Sequence, residues 1–240
     1  LERPCYERVE LLVIQDKKRA EIFAKENGIS LKEFFLPVSG GKSSFQSFQG
    51  RNLGHHILAL GSLAEWTMIP ELIDCAIQKK FSLPVLLHGR YGAMPEKIVR
   101  RIRGNKDVEI SSRYFVSERD FYEFVSQAYI GYAMYQSIKG NKYLGKNIED
   151  LGLSSGKIST FLSCGVPIIT NITGEFAMLI REFGAGVVVS EASEIPEAVA
   201  RISKARDRYS RGANALFEQK LSFDLYRKEL MQTISGASSV

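Results

Sequence analysis

Cysteine is scarce: Cys5, Cys75 and Cys164 are the only three in 240 residues, far apart and with no CxxC pair. That excludes a disulfide framework and the common zinc spacings, and makes reduced, buried thiols the expectation. Histidine is equally rare. His55 and His56 precede a strand, and none of the three histidines stands in a pattern of acidic or sulfur ligands, so no metal and no cofactor are expected. No apolar run approaches the ~20 residues of a transmembrane helix, and no secretory leader pattern is visible, so a soluble cytoplasmic protein is expected. Blocks of like charge are also missing: 32 Lys and Arg against 27 Asp and Glu give a formal net charge of +5, dispersed along the chain. Nucleic acid is therefore not an expected partner. The charge is compatible with a phosphorylated small molecule, or with peripheral contact at the anionic inner face of a membrane, and selects neither.

What the chain does contain is 45% apolar residues, enough for a real core, arranged as a regular alternation. From Ile57 onward, short apolar runs ("ILALG", "LPVLLHG", "VEISSRYF", "YIGYAMY", "VPIIT", "AGVVVS") are separated by amphipathic stretches such as "IPELIDCAIQKK" and "SERDFYEFVSQA". Strands of this kind between helices predict βαβ units and a doubly wound, Rossmann-like α/β fold whose parallel sheet is covered on both faces. Ahead of it, "VELLVI" predicts a strand and "KKRAEIFAKENG" a helix ending at Gly28. The Ser- and Gly-rich "SLKEFFLPVSGGKSSFQSFQGRN" reads as a linker or exposed loop. The tail from Arg208 is predicted helical.

One stretch carries chemistry. In "GLSSGKISTFLSCGVPIIT", Ser154, Ser155, Gly156 and Lys157 stand immediately before a helical run, Ile158, Phe161 and Leu162, that stops at Gly165. Free N–H groups and the positive dipole end at a helix start favour an anion. A plain Ser N-cap is the simpler alternative. In a doubly wound sheet, ligands sit beyond the carboxyl ends of the strands near the switch in strand order, and this motif follows such a strand. The long polar loop "QSIKGNKYLGKNIED" before it could close over a ligand.

The run "ILALGSLAEWTMIPELIDCAI … LPVLLHG … VEISSRYFVSERDFYEFVSQAYIGYAMY … GLSSGKISTFLSCGVPIITNITGEFAMLIREFGAGVVV" resembles the C-terminal, nucleotide-sugar-binding half of GT-B-fold glycosyltransferases. The resemblance divides the chain into residues 1–54, a remnant of the N-terminal acceptor domain and linker, residues 55–205, the donor-binding domain, and residues 206–240, a helical tail. It implies a nucleotide-sugar donor, an acceptor of saccharide or lipid-linked saccharide type, and a role in polysaccharide or glycoconjugate synthesis. The abrupt start at Leu1 suits a piece of a longer protein. With most of the acceptor domain absent, the first segment is expected to be poorly anchored. Its strand is expected to pair with an exposed sheet edge or with a second copy in a dimer.

The same resemblance assigns residues. The Gly61 turn corresponds to the loop where backbone approaches the donor's diphosphate. Retaining members carry an Arg after that glycine and a Lys a few positions on, where this chain has Ser62 and Thr67. They also carry two glutamates eight positions apart, where this chain has Gly152 and Thr160. The motif that remains resembles a variant in which Ser154, Ser155, the Gly156 amide and Lys157 hold the phosphates. Thr160 could offer a hydroxyl to the ribose or bond its own helical turn. Arg113 and Tyr114, in "SSRYF", match the loop that seats the base, with strand-end packing as the alternative. His88 and Gly89 end the second strand, where His88 could face the donor or cap the surface. The run Lys97, Arg100, Arg101, Arg103 and Lys106 reads as a solvated helix face or a contact for lipid headgroups. Three functions follow: a glycosyltransferase represented by its donor-binding half, a nucleotide-sugar epimerase on the same fold, or a non-catalytic nucleotide-binding or interaction module. No catalytic residue is assigned.

Overall fold

The computed structural model describes residue 6 and residues 9–41, 54–89, 96–140 and 148–237. Six parallel strands form the main sheet: β3 Ile57–Gly61, β4 Val85–Gly89, β5 Val108–Ile110, β6 Ile130–Ala133, β7 Ile168–Thr170 and β8 Gly186–Val188. Their spatial order is β5-β4-β3-β6-β7-β8. The chain thus builds outward from β3 to β5, returns to the other side of β3, and builds outward again. The turnaround lies between β3 and β6, the place where a doubly wound sheet leaves a crevice.

Alternation along the strands sorts the core into two layers. Ile57 and Ala59 join one apolar cluster, while Leu58 and Leu60 join the other, as the period of two in an extended chain requires. The first layer is closed by α2 Ile69–Ile77, α3 Glu96–Ile102 and α7 Ile195–Lys204. The second is closed by α4 Glu118–Ser126, α5 Gly156–Ser163, α6 Gly174–Phe183 and α8 Arg206–Leu216. Beyond α8 one π-helical turn, Phe217–Leu221, leads to α9 Asp224–Ala237. The predicted strand at 108–115 is shorter than its apolar run: after Ser111 N–H bonds Leu87 O at 2.8 Å, the chain leaves the sheet. Cys75 is a buried free thiol and Cys164 a half-buried one; Cys5 lies outside the described residues.

The N-terminal segment departs from expectation. β1 Leu12–Ile14 pairs in parallel with β2 Glu33–Phe35, across α1 Lys17–Asn27, as a separate two-stranded sheet. It does not pair with an edge of the main sheet. β2 falls within the stretch predicted as linker, because its three residues are flanked by polar and Gly-rich sequence that masks so short a run. Nor is the segment loosely held. Val38 N–H bonds Leu153 O at 3.0 Å, Arg19 Nη1 bonds Asp150 O at 2.8 Å, and Lys18 pairs with Asp150. Phe223 N–H, at the start of α9, reaches Gly40 O at 3.0 Å.

Candidate functional site

β3 ends at Gly61, whose φ of +83° lies in the left-handed region that glycine adopts without strain. Gly89 of β4 lies beside it in register. The chain then folds into a tight turn over 62–67. Thr67, buried, accepts from Ala64 N–H at 3.2 Å, and its hydroxyl faces Ala64 O at 2.8 Å and Ser62 O at 3.0 Å. Thr67 therefore shapes the turn from within, and Ser62 is left exposed at its tip.

Across the crevice, β6 runs into Tyr135. Its ring is stacked on Trp66, centroids 6.1 Å apart and planes 22° from parallel. Gln136 extends the same seam, with its N–H on Trp66 O at 2.9 Å and its side-chain amide on Glu65 O at 2.7 Å. Asn171, after β7, clasps Tyr135 from the other side by bonding both its N–H and its C=O. The phenol is buried, which pushes its pKa up to about 12, and its oxygen is 2.8 Å from Ser155 Oγ.

Ser155 is the N-cap of α5: buried, it accepts the Ile158 N–H at 3.3 Å, as the simple cap alternative expects. Ser154 turns its hydroxyl back onto Leu151 O. Both serine hydroxyls are therefore engaged within the protein: Ser154 donates to Leu151 O, and Ser155 is shared between the Ile158 N–H and the Tyr135 hydroxyl. Lys157 is different. Its ammonium lies over the Tyr135 ring, 5.4 Å from the centroid, and its Cε lies 3.8 Å from where a side chain on Gly61 would begin. Burial pushes its pKa down to about 8, and no carboxylate among the described residues offsets that burial. The end of β3 at Gly61 and the start of α5, with Ser155, Gly156 and Lys157, thus lie against each other, while Ser62 is exposed on the adjoining turn. The Lys157 cation is half-buried and pairs with no acid among the described residues.

The remaining predicted residues lie elsewhere or are engaged. Thr160 donates its hydroxyl to Gly156 O at 2.8 Å, inside its own helix, so the back-bonding alternative is what is observed. His88 is neither a surface cap nor open: its ring packs against Phe115 at 5.0 Å and Phe124 at 5.3 Å, and burial lowers its pKa. Its Nδ1 has no hydrogen-bond partner among the described residues. On the loop after β5, Arg113 lies over Phe124 at 5.5 Å, while Tyr114 is 91% exposed. Phe115, not Tyr114, is the aromatic that packs there. A cavity of about 290 Å³ lies between that loop and α4, lined by Arg113, Tyr114 and Glu123 among others. Part of the loop expected to close over a ligand, 141–147, lies outside the described residues.

Three cations of the basic helix face are ion-paired: Lys97 with Glu65, Arg100 with Glu96 and Arg101 with Asp74. Exposed pairs of this kind contribute little, and they leave less charge for an anionic surface. Among the described residues no cluster of three His, Cys, Asp or Glu side chains could hold a metal, and no helix is long and apolar enough to cross a membrane.

Sequence reasoning missed two residues of this site. Tyr135 is the last residue of the run "YIGYAMY", beyond the strand proper, where position alone was the signal. Asp16 stands just before a helix, an N-cap signal, but its second contact is with a segment 137 positions away.

Comparison with known proteins agrees with this architecture. Residues 138–234 match the family described as glucosyltransferase 3-like, C-terminal domain. No curated protein matches the sequence. A glycosyltransferase from Rickettsia africae ESF-5 superposes with TM-score 0.71 at 12% identity, covering 99% of this chain and 67% of that one. AviGT4, a glycosyltransferase involved in avilamycin A biosynthesis, gives TM-score 0.67 at 17% identity over 95% of this chain and 64% of its own. Anabaena Alr3699/HepE, solved in complex with UDP, gives 0.62 at 13% identity over 97% and 66%. The chain therefore spans less than two thirds of the AviGT4 and Alr3699/HepE chains. At these identities the likeness is one of fold: an α/β fold with a six-stranded parallel sheet, that of the C-terminal domain of GT-B glycosyltransferases.

Proposed function

We propose that this chain is the donor-binding part of a glycosyltransferase, and that the crevice between β3 and β6 holds the diphosphate of a nucleotide sugar. The carrying observation is Lys157: a half-buried ammonium at a helix start, its pKa depressed to about 8, with no carboxylate among the described residues to balance it. A lysine so placed gains most from a bound anion. The amides of Gly156 and Lys157, at the dipole's positive end, add uncharged donors, and Gly61 lets backbone approach from the opposite wall. Such a site needs no metal to bind a diphosphate.

Arg113 and Tyr114 would take the base or ribose, since an exposed aromatic beside a guanidinium suits stacking. Ser62 would approach the phosphates through its backbone. Transfer of the sugar to a saccharide or lipid-linked saccharide would take place against a second wall, as in the longer GT-B chains that this one matches in part.

Calorimetric titration of the purified chain in EDTA tests the assignment. UDP is expected to bind at least tenfold more tightly than uridine, the difference being the diphosphate's contribution. Equal affinities, or binding lost on chelation, would overturn it.

A further inference from the structure

Leu153, two residues before the cap of α5, has both its backbone groups bonded to the N-terminal segment. Its N–H donates to Asp16 Oδ2 at 3.0 Å, and its C=O accepts from Val38 N–H at 3.0 Å. The other oxygen of Asp16 caps α1 by accepting Arg19 N–H at 3.0 Å. Asp16 is only 5% exposed, so one buried carboxylate joins two elements that are far apart in sequence. The fit is close: a Cβ on Gly152 would stand 1.9 Å from Asp16 Oδ2, and Gly152 has φ +50°. Only glycine lets the carboxylate approach the turn this closely. Val38 continues the contact, its Cγ1 being 3.3 Å from where a side chain on Gly156 would begin.

We infer that Asp16 is a positioning residue for the phosphate site. By clamping Leu153 it sets the turn at 152–155, which in turn fixes Ser155 and the direction in which α5 presents its first amides and Lys157. The N-terminal βαβ unit and the diphosphate crevice are then mechanically one piece. A displacement of that unit would be felt first at the amides of residues 153–158. This inference rests on the phosphate-site assignment made above.

Asp16→Ser separates the clamp from the cap. A serine hydroxyl still caps α1 through Arg19 N–H but is too short to reach Leu153 as well. Two measurements on the full chain decide the matter. Amide hydrogen exchange should accelerate at residues 153–158 in Asp16→Ser while the strands of the main sheet stay protected. UDP affinity should fall about tenfold, with uridine affinity unchanged, because one charge-assisted bond orders the phosphate turn and not the base site. A merely structural role would lower the melting temperature and leave the UDP-to-uridine ratio intact, and that result overturns the inference, as does unaltered exchange at 153–158. Lys157→Ala run alongside keeps the two proposals apart. If it weakens UDP binding and Asp16→Ser does not, only the clamp falls. If neither variant alters UDP affinity, the phosphate site falls and the clamp's functional role with it.

Discussion

The hydroxyl of Tyr135 lies 2.8 Å from that of Ser155, and the same aromatic ring carries the Lys157 ammonium on its face. One side chain thus joins the end of β6 to both the cap and the cation of α5. Tyr135→Phe removes only the hydroxyl. Because the bond is buried, it should cost about 1 kcal/mol of stability in urea titration and change UDP affinity less than about threefold. Tyr135→Leu also removes the ring, and should weaken UDP binding further by releasing Lys157. A Phe variant as stable as wild type would contradict the bond's role.

Gly152 and Asp16 make a second test. Gly152→Ala places a methyl against a buried carboxylate at a left-handed position, so it should destabilise by roughly 1–3 kcal/mol. Denaturant midpoints would measure it. A loss below about 0.5 kcal/mol, the usual range for an exposed surface change, would show that Asp16 yields freely.

The depressed pKa of Lys157 sets a pH dependence. Its folded value, about 8, lies below the ordinary lysine value of 10.5, so between the two the unfolded chain binds more protons. The group therefore destabilises the empty protein below about pH 8, and the protein gains stability as pH rises through that window. Ligand binding shows the opposite trend. A bound diphosphate favours the ammonium, so UDP affinity should be flat near pH 7 and fall by up to about tenfold per unit above pH 8, where the free lysine is neutral. The phosphates titrate near pH 6 and do not contribute. In Lys157→Ala the slope between pH 7.5 and 9 should vanish. An equal slope in both proteins would assign it elsewhere.

Much of the main sheet was legible because long-range order there follows local pattern. "ILALG" is β3 residue for residue, Ser117 caps α4, and Gly28 ends α1, each from apolar period or cap chemistry that neighbouring residues carry. β2 was not legible: three residues, only Phe34 of them buried, give a pattern too short to read. The anchoring of the first segment was hidden for another reason. Asp16 signals a helix cap in sequence, but its bond to Leu153 is set by tertiary approach, and Gly152 reads as an ordinary turn glycine until that carboxylate is seen beside it. At the site, Lys157 stood out through its motif, whereas Tyr135 was hidden in a strand run whose aromatic residues read as core. Thr67 gave no such signal, and its buried hydroxyl is bonded inside the 62–67 turn.

The measurement closest to the central claim is calorimetric titration of UDP into wild type and Lys157→Ala at fixed salt. Loss of the ammonium's charge-assisted bond, worth roughly 1.5–3 kcal/mol, should weaken UDP binding about ten- to a hundredfold. Uridine affinity should not change, and the melting temperature should not fall, since the substitution removes a desolvated charge. Undiminished UDP affinity in Lys157→Ala would leave Ser155 as a plain helix cap and contradict the diphosphate site.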